Sequence, residues 1–149
     1  MVEHRWPMTP KFSLTMDAAD PRALGEFWAL ALGYVREPPP PPHHTWEETL
    51  VAWGLPPERW NDANAIVDPD GVGPRIFIQK VPEPKTAKNR VHIDVRLSAS
   101  HENKDLVAMR ARAEQLVDAG ATLVQVHDEE FTGQWIVMLD PEGNEFCIV

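Results

Sequence analysis

Residues 12 to 17, FSLTMD, put Phe12, Leu14 and Met16 on one side of an extended chain and Ser13, Thr15 and Asp17 on the other. That is the alternation of a strand with one buried face. Asp20 and Pro21 follow as an N-cap and a first-turn residue, and Leu24, Phe27, Trp28 and Ala31 then recur at helical spacing until Gly33 ends the run. Trp28 lies on the stripe and is expected in the core. The same order returns at residues 91 to 120. Val91, Ile93, Val95 and Leu97 alternate with His92, Asp94 and Arg96, and a helix is predicted from about Lys104 to Ala119. Its stripe is Leu106, Met109, Ala113, Leu116 and Val117, and Gly120 closes it.

The ends of the two halves match as well. Asp68-Pro69-Asp70-Gly71 leads into Arg75-Ile76-Phe77-Ile78-Gln79, and Asp140-Pro141-Glu142-Gly143 leads into Asn144-Glu145-Phe146-Cys147-Ile148. Asp-Pro-x-Gly alone is a common turn. Its weight comes from standing at the same place in both halves, after the same strand and helix. Strands at 121 to 126 and 134 to 139, joined by an acidic turn from His127 to Gly133, complete a β-α-β-β-β unit. The pattern therefore predicts one domain over residues 1–149, with repeat one at about 11–80 and repeat two at about 90–149. Repeat one carries an insert at about 38–62. It holds a stiff extended block, Pro38 to Pro42, a short helix around Thr45 to Trp53, the turn Gly54 to Pro57, and Trp46, Trp53 and Trp60.

Composition narrows the function. With 43 % apolar and 25 % charged residues in 149, the chain has the balance of a globular protein, long enough to bury a core. A net charge of −9 repels phosphate backbones and anionic lipid, so nucleic acid and membranes are poor partners and small molecules good ones. There is no apolar run near the roughly 20 residues of a spanning helix, and MVEHRWPMTP lacks a signal peptide's apolar centre, so a cytoplasmic location is expected. Cys147 is the only cysteine. It excludes an internal disulfide and a cysteine-rich zinc site.

If helices cover the apolar face, the polar face becomes the wall of a cleft. His92, Asp94 and Arg96 then face inward, with Ser13, Thr15 and Asp17 from the first repeat and Arg75, Phe77 and Gln79 from its last strand. His92 is the best candidate for proton transfer, because its free pKa lies near neutrality; a structural hydrogen bond is the competing reading. Asp17 or Asp94 could tune it or form an ion pair with Arg96. Cys147 reads as a small buried apolar residue rather than a nucleophile. The insert tryptophans, Trp46 among them, are either an aromatic lid or a satellite core, and Trp135 alternates with Val137 and Leu139 so as to look into the cleft. Lys88, Asn89 and Arg90 belong to a solvated linker or stand at the cleft mouth and attract a carboxylate or phosphate.

The phrases LTMDAADPRALGEFWALALGY, DPDGVGPRIFIQKVPEPKTAKNRVHIDVRL and DPEGNEFCIV resemble the glyoxalase-like family of the vicinal-oxygen-chelate superfamily, over about Lys11 to Val149. The resemblance implies an α+β fold in which two βαβββ repeats form an open curved sheet or barrel with helices outside. Metal-binding members of that superfamily take ligands from the first and last strands of each repeat. Carried over, those positions are Ser13, Gln79, His92 and Cys147. Only His92 and Gln79 belong to the usual ligand types, so no cofactor is firmly implied and a divalent metal stays an open expectation. Glu145 shares a strand face with Cys147 and would substitute if the register differed by two. Two functions follow from the resemblance. One is lyase or isomerase chemistry on an anionic metabolite, with His92 as the reacting group and Gln79, Phe77, Asp94, Arg90, Trp46 and Trp135 around the substrate. The alternative is non-catalytic sequestration of a drug or aromatic metabolite, as in bleomycin-resistance proteins. Related folds often pair, so a homodimer is also an open expectation.

Overall fold

The computed structural model describes residues 10–97 and 104–149. Repeat one consists of β1 (Leu14–Ala18), α1 (Pro21–Leu32), β2 (Val35–Arg36), α2 (Trp46–Ala52), a 3-10 turn (Pro57–Arg59), β3 (Ala63–Val67) and β4 (Ile76–Lys80). Repeat two consists of β5 (Ile93–Val95), α3 (Leu106–Asp118), β6 (Thr122–Glu129), β7 (Gly133–Leu139) and β8 (Glu145–Ile148). Each repeat folds its strands into a four-stranded sheet, in the orders β1-β4-β3-β2 and β5-β8-β7-β6. The two orders are the same permutation. In each, the first and last strands pair in parallel and the other neighbours are antiparallel.

The helices start where their caps allow. Asp20 accepts the backbone N–H of Ala23 at 3.1 Å, and Asp105 accepts those of Val107 and Ala108. The bond from Asn61 to Asp20, followed by that from Ala23, lowers the Asp20 pKa. Thr45 and Glu48 form a reciprocal capping box on α2. α1 lies close on β3 because residue 25 is glycine; a Cβ there would collide with the Asn64 side-chain amide.

One face of both sheets packs under the helices. Ile76, Ile78, Ile136, Met138, Phe146 and Ile148 are buried there with Leu24, Phe27, Trp28, Met109, Ala113 and Leu116. α1 serves both repeats, because Trp28 and Phe27 meet Phe146 of β8 edge-on, with ring centroids 5.2 and 5.8 Å apart. Between α1 and α3 the guanidinium of Arg112 donates to the carbonyl of Leu30 at 2.6 Å.

Four expectations need correction. Phe12, read onto the buried face of the first strand, lies before β1 and is 70 % exposed. The residues 127 to 133 are not all turn: β6 runs on to Glu129 and β7 begins at Gly133. Cross-strand stacking of His127 on Trp135, with centroids 4.2 Å apart, holds the hairpin together beyond the point where its sequence turns acidic. The strand expected over 91 to 97 is regular only at Ile93–Val95. Finally, Val117 is exposed although it was placed on the α3 stripe.

Candidate functional site

The two sheets share no hydrogen-bonded strand pair, so a gap opens where β1 of one meets the start of β5 and β8 of the other. It forms a crevice of about 730 Å3. Leu14, Met16, Trp28 and Ile93 give it apolar walls, and the Asp140 to Glu145 turn closes one side. The segment between the repeats, Val81 to Val91, crosses it as a strap.

The strap is fastened by Asn89 and Lys85. Asn89 Oδ1 accepts the backbone N–H of Glu145 at 2.9 Å, its Nδ2 donates to the Glu145 carbonyl at 2.9 Å, and its backbone N–H donates to the Glu145 carboxylate at 3.1 Å. Lys85 Nζ stands 3.4 Å from the same carboxylate. Burial pushes the Glu145 pKa up, but the N–H of Asn89, the backbone N–H of Glu145 itself and Lys85 together outweigh it and hold the group at about 2. The other end of this turn is set by Asp140. It is buried and accepts the indole N–H of Trp28 at 3.1 Å, the backbone N–H groups of Glu142 and Asn144 at 2.9 and 3.0 Å, and the Asn144 side-chain amide. Glu142 reaches across the seam and accepts the backbone N–H of Ala19.

Few of the residues singled out from the sequence line this crevice. Thr15 and Asp17 do, and so does Asn89. Gln79 stands beside it, donating to Asp17 at 2.8 Å. Phe77 lies under the guanidinium of Arg75, 5.5 Å from the ring centre, and Arg75 is held by Glu37 through two 2.7 Å bonds. His92 is exposed and donates to the Asn89 carbonyl at 2.9 Å. Asp94 stands opposite Cys147 in the parallel ladder. Burial raises the thiol pKa, Asp94 raises it further, and Lys88 opposes both. Arg90 is exposed. Trp135 is stacked on His127, and Trp46 packs against Trp53 while its indole donates to the Glu37 carbonyl at 2.6 Å. Trp60 donates to the Leu55 carbonyl. The insert tryptophans thus pack the insert onto itself, and none of them lines the crevice.

Trp28, Lys85, Asp140 and Glu142 line the crevice although the sequence pattern does not point to them as site residues, and Glu145, read from the sequence only as a stand-in ligand for Cys147, lines it too. Trp28 sits on a core stripe and Asp140 and Glu142 in a turn motif, so their period and turn chemistry hid them. One signal was available: the strap carries Lys85, Lys88 and Arg90 between two acidic repeats.

The four positions implied for a metal do not converge. Gln79 pairs with Asp17, four residues beyond Ser13, whereas Cys147 pairs with Asp94, two residues beyond His92. At a rise of about 3.3 Å per residue, Ser13 lies roughly 13 Å along the strand from the level of Gln79, far outside the reach of a shared ion. The same offset means that Ser13 and His92 cannot be equivalent while Gln79 and Cys147 are; matching Asp17 to Asp94 makes Thr15 the counterpart of His92. Among the described residues no group of three histidine, cysteine, aspartate or glutamate side chains is arranged to hold an ion. The residues present do not fit a metal of the superfamily kind.

Among the described residues no helix is long and apolar enough to cross a membrane. No curated protein matches the chain significantly. Solved structures share its fold. A glyoxalase/bleomycin resistance protein/dioxygenase family enzyme from Burkholderia phytofirmans superposes with a TM-score of 0.60 at 16 % identity, over 91 % of this chain and 94 % of that one. A mutant of the fosfomycin resistance protein FosX from Listeria monocytogenes, complexed with Mn(II) and dihydroxypropylphosphonic acid, gives 0.60 at 10 % identity, over 95 % and 89 %. The bleomycin-binding protein of Streptomyces verticillus, complexed with copper(II)-bleomycin, gives 0.52 at 14 % identity, over 97 % and 98 %. The model of the glyoxalase-like domain matches residues 13–149. With two βαβββ sheets in one permuted order, the chain belongs to the glyoxalase-like family of the vicinal-oxygen-chelate superfamily.

Proposed function

We propose that this protein binds a small organic molecule in the crevice between its two sheets and holds it without metal-assisted chemistry. The observation that carries the reading is the crevice itself. At about 730 Å3 it falls in the size range of small-molecule sites, and its apolar walls with a few fixed polar groups are what such sites require. The fold is shared by a bleomycin-binding protein and by a FosX that takes a phosphonate with Mn(II). The scattered donor set of this chain favours the first of these as the analogue. The rival reading, glyoxalase-type lyase or isomerase chemistry, rests on His92 and Gln79, and neither lines the crevice.

Trp28 on the wall supplies the test. Titration of a small-molecule library is expected to quench tryptophan emission for ligands that enter, and the quench should vanish in Trp28→Phe. Manganese, nickel and zinc are expected to leave the melting temperature unchanged. A metal-induced rise in melting temperature that Gln79→Ala or His92→Ala abolishes would overturn the metal-free reading.

A further inference from the structure

Two sides of α3 are taken. Met109, Ala113 and Leu116 are buried in the core, and on the next flank Arg112 donates to the carbonyls of Leu30 and Ala31 at the end of α1. At about 100° per residue the flank opposite Arg112 carries Val107, Arg110, Glu114 and Val117, whose spacing of three, four and three residues makes them one stripe. All four are exposed, Val107 by 78 % and Val117 by 42 %. An exposed valine gains no burial and favours a helix less than alanine does, so the two valines do nothing for α3 alone. Among the described residues neither Arg110 nor Glu114 has an ion-pair partner.

This flank overlooks the border of the molecule. α1 covers β8 through the contacts of Phe27 and Trp28 with Phe146, and the order β5-β8-β7-β6 puts β6 at the sheet edge on the side away from α1. Leu123 of β6 stands opposite the buried Met138 and so on the helix-covered face, yet it is 43 % exposed because no strand lies beyond it. Turned end for end, the stripe is its own complement. In an antiparallel pair of α3 helices centred on Arg112, Val107 meets the second copy's Val117 and Arg110 meets the second copy's Glu114, each contact occurring twice. A parallel pair would set arginine on arginine and glutamate on glutamate. We infer that this chain forms a twofold dimer through antiparallel contact of its α3 stripes, with Leu123, in the strand that begins where α3 ends, covered at each end of the contact.

Sedimentation equilibrium of the full chain from about 5 µM to about 1 mM is expected to show a reversible monomer–dimer equilibrium with a dissociation constant of about 10 to 100 µM, the weak range for a contact carried by one helix pair. Glu114→Arg sets arginine against Arg110 at two symmetric places and should weaken the dimer at least about tenfold, and Arg110→Glu should do the same. The double variant Arg110→Glu/Glu114→Arg restores both pairs and should dimerise within about threefold of the parent chain. Both positions are on the surface, so the melting temperature of the monomer should hardly move in any of the three. Val107→Ser leaves the charges alone and should weaken the dimer about threefold through lost apolar contact. A chain that stays monomeric at about 1 mM overturns the inference. A dimer indifferent to both single charge changes overturns it too, since its contact would lie elsewhere, and a double variant as weak as the single ones overturns the antiparallel pairing of Arg110 with Glu114.

Discussion

The two Asp-Pro-x-Gly turns are nearly the same in sequence and differ in what they hold. In repeat one, Asp68 closes its own loop, accepting the backbone N–H groups of Asp70, Val72 and Gly73, and those amides, Gly73 first, lower its pKa. In repeat two, Asp140 makes the same kind of loop bonds to Glu142 and Asn144 but is buried, and it also takes the indole N–H of Trp28 from the other repeat. The α3 stripe of repeat two offers Met109, Ala113 and Leu116 instead of a tryptophan, so the first turn has no counterpart to dock on. A duplicated element has become the fastener between the repeats on one side only, and the crevice lies on that side.

The largest effects should come from breaking that fastener. Trp28→Ala removes a buried side chain that packs on Phe27 and Phe146, and unfolding in urea should show a loss of about 4 kcal/mol. Asp140→Ala leaves the Trp28 indole and two loop amides without an acceptor and should cost about 3 kcal/mol. Asp68→Ala, the same substitution in the other turn, should cost clearly less, since water can replace the carboxylate on its loop amides. Equal losses for the two aspartates would sink the idea that only one turn joins the repeats.

The repeats themselves were legible because period, cap and turn signals recur in one order. Phe12 to Asp17 with Asp20-Pro21, and Val91 to Leu97 with the α3 stripe, each name a strand and a helix without tertiary knowledge. The difference between the turns was not legible. Asp68 and Asp140 have identical local chemistry, and which one is buried depends on Trp28, which contacts it across more than a hundred residues. The same holds for the candidate site. Alternation placed Thr15 and Asp17 on the open face, but the crevice is a seam between sheets, and a seam is lined by both faces of its edge strands and by whatever crosses it. Hence Met16 and Trp28 from the core pattern line it, while His92 and Phe77 do not. The offset between Ser13 and Gln79 was hidden too, because strand register needs the pairing partners.

A second contrast concerns the openings of the two last strands. Glu145 at the start of β8 fastens the strap, and its folded pKa of about 2 lies below the ordinary 4.5. A depressed carboxylate stabilises fully above the unfolded value, so this contribution is present above about pH 4.5 and drains away as the pH falls toward 2. Glu145→Gln should flatten the stability profile in that window, by up to about 1.4 kcal/mol per pH unit, and leave its shape near neutrality unchanged. Urea midpoints measured across the window check this; an unchanged slope would mean that the strap is held without the charge of Glu145.

The smallest effect should come from the ion pair at the opening of the last strand of repeat one. Arg75, just before β4, meets Glu37 in a two-pronged ion pair, and the bonds to Glu37 raise its pKa. Yet the Arg75 side chain is 42 % exposed, so water screens the pair and ordering two long side chains offsets much of the attraction. Arg75→Ala should cost about 0.5 kcal/mol at low salt. Most of that loss should vanish at about 1 M salt, where the screening length falls to about 3 Å. Glu145→Gln at neutral pH should lose less of its effect on adding salt, because Asn89 holds the carboxylate through hydrogen bonds rather than charge alone. Measuring both variants at both salt concentrations tests the contrast directly: two equal salt responses would show that the strap, like the Arg75 pair, rests on screened surface charge, and a larger response at Arg75 would show that repeat two has built its fastening into the backbone.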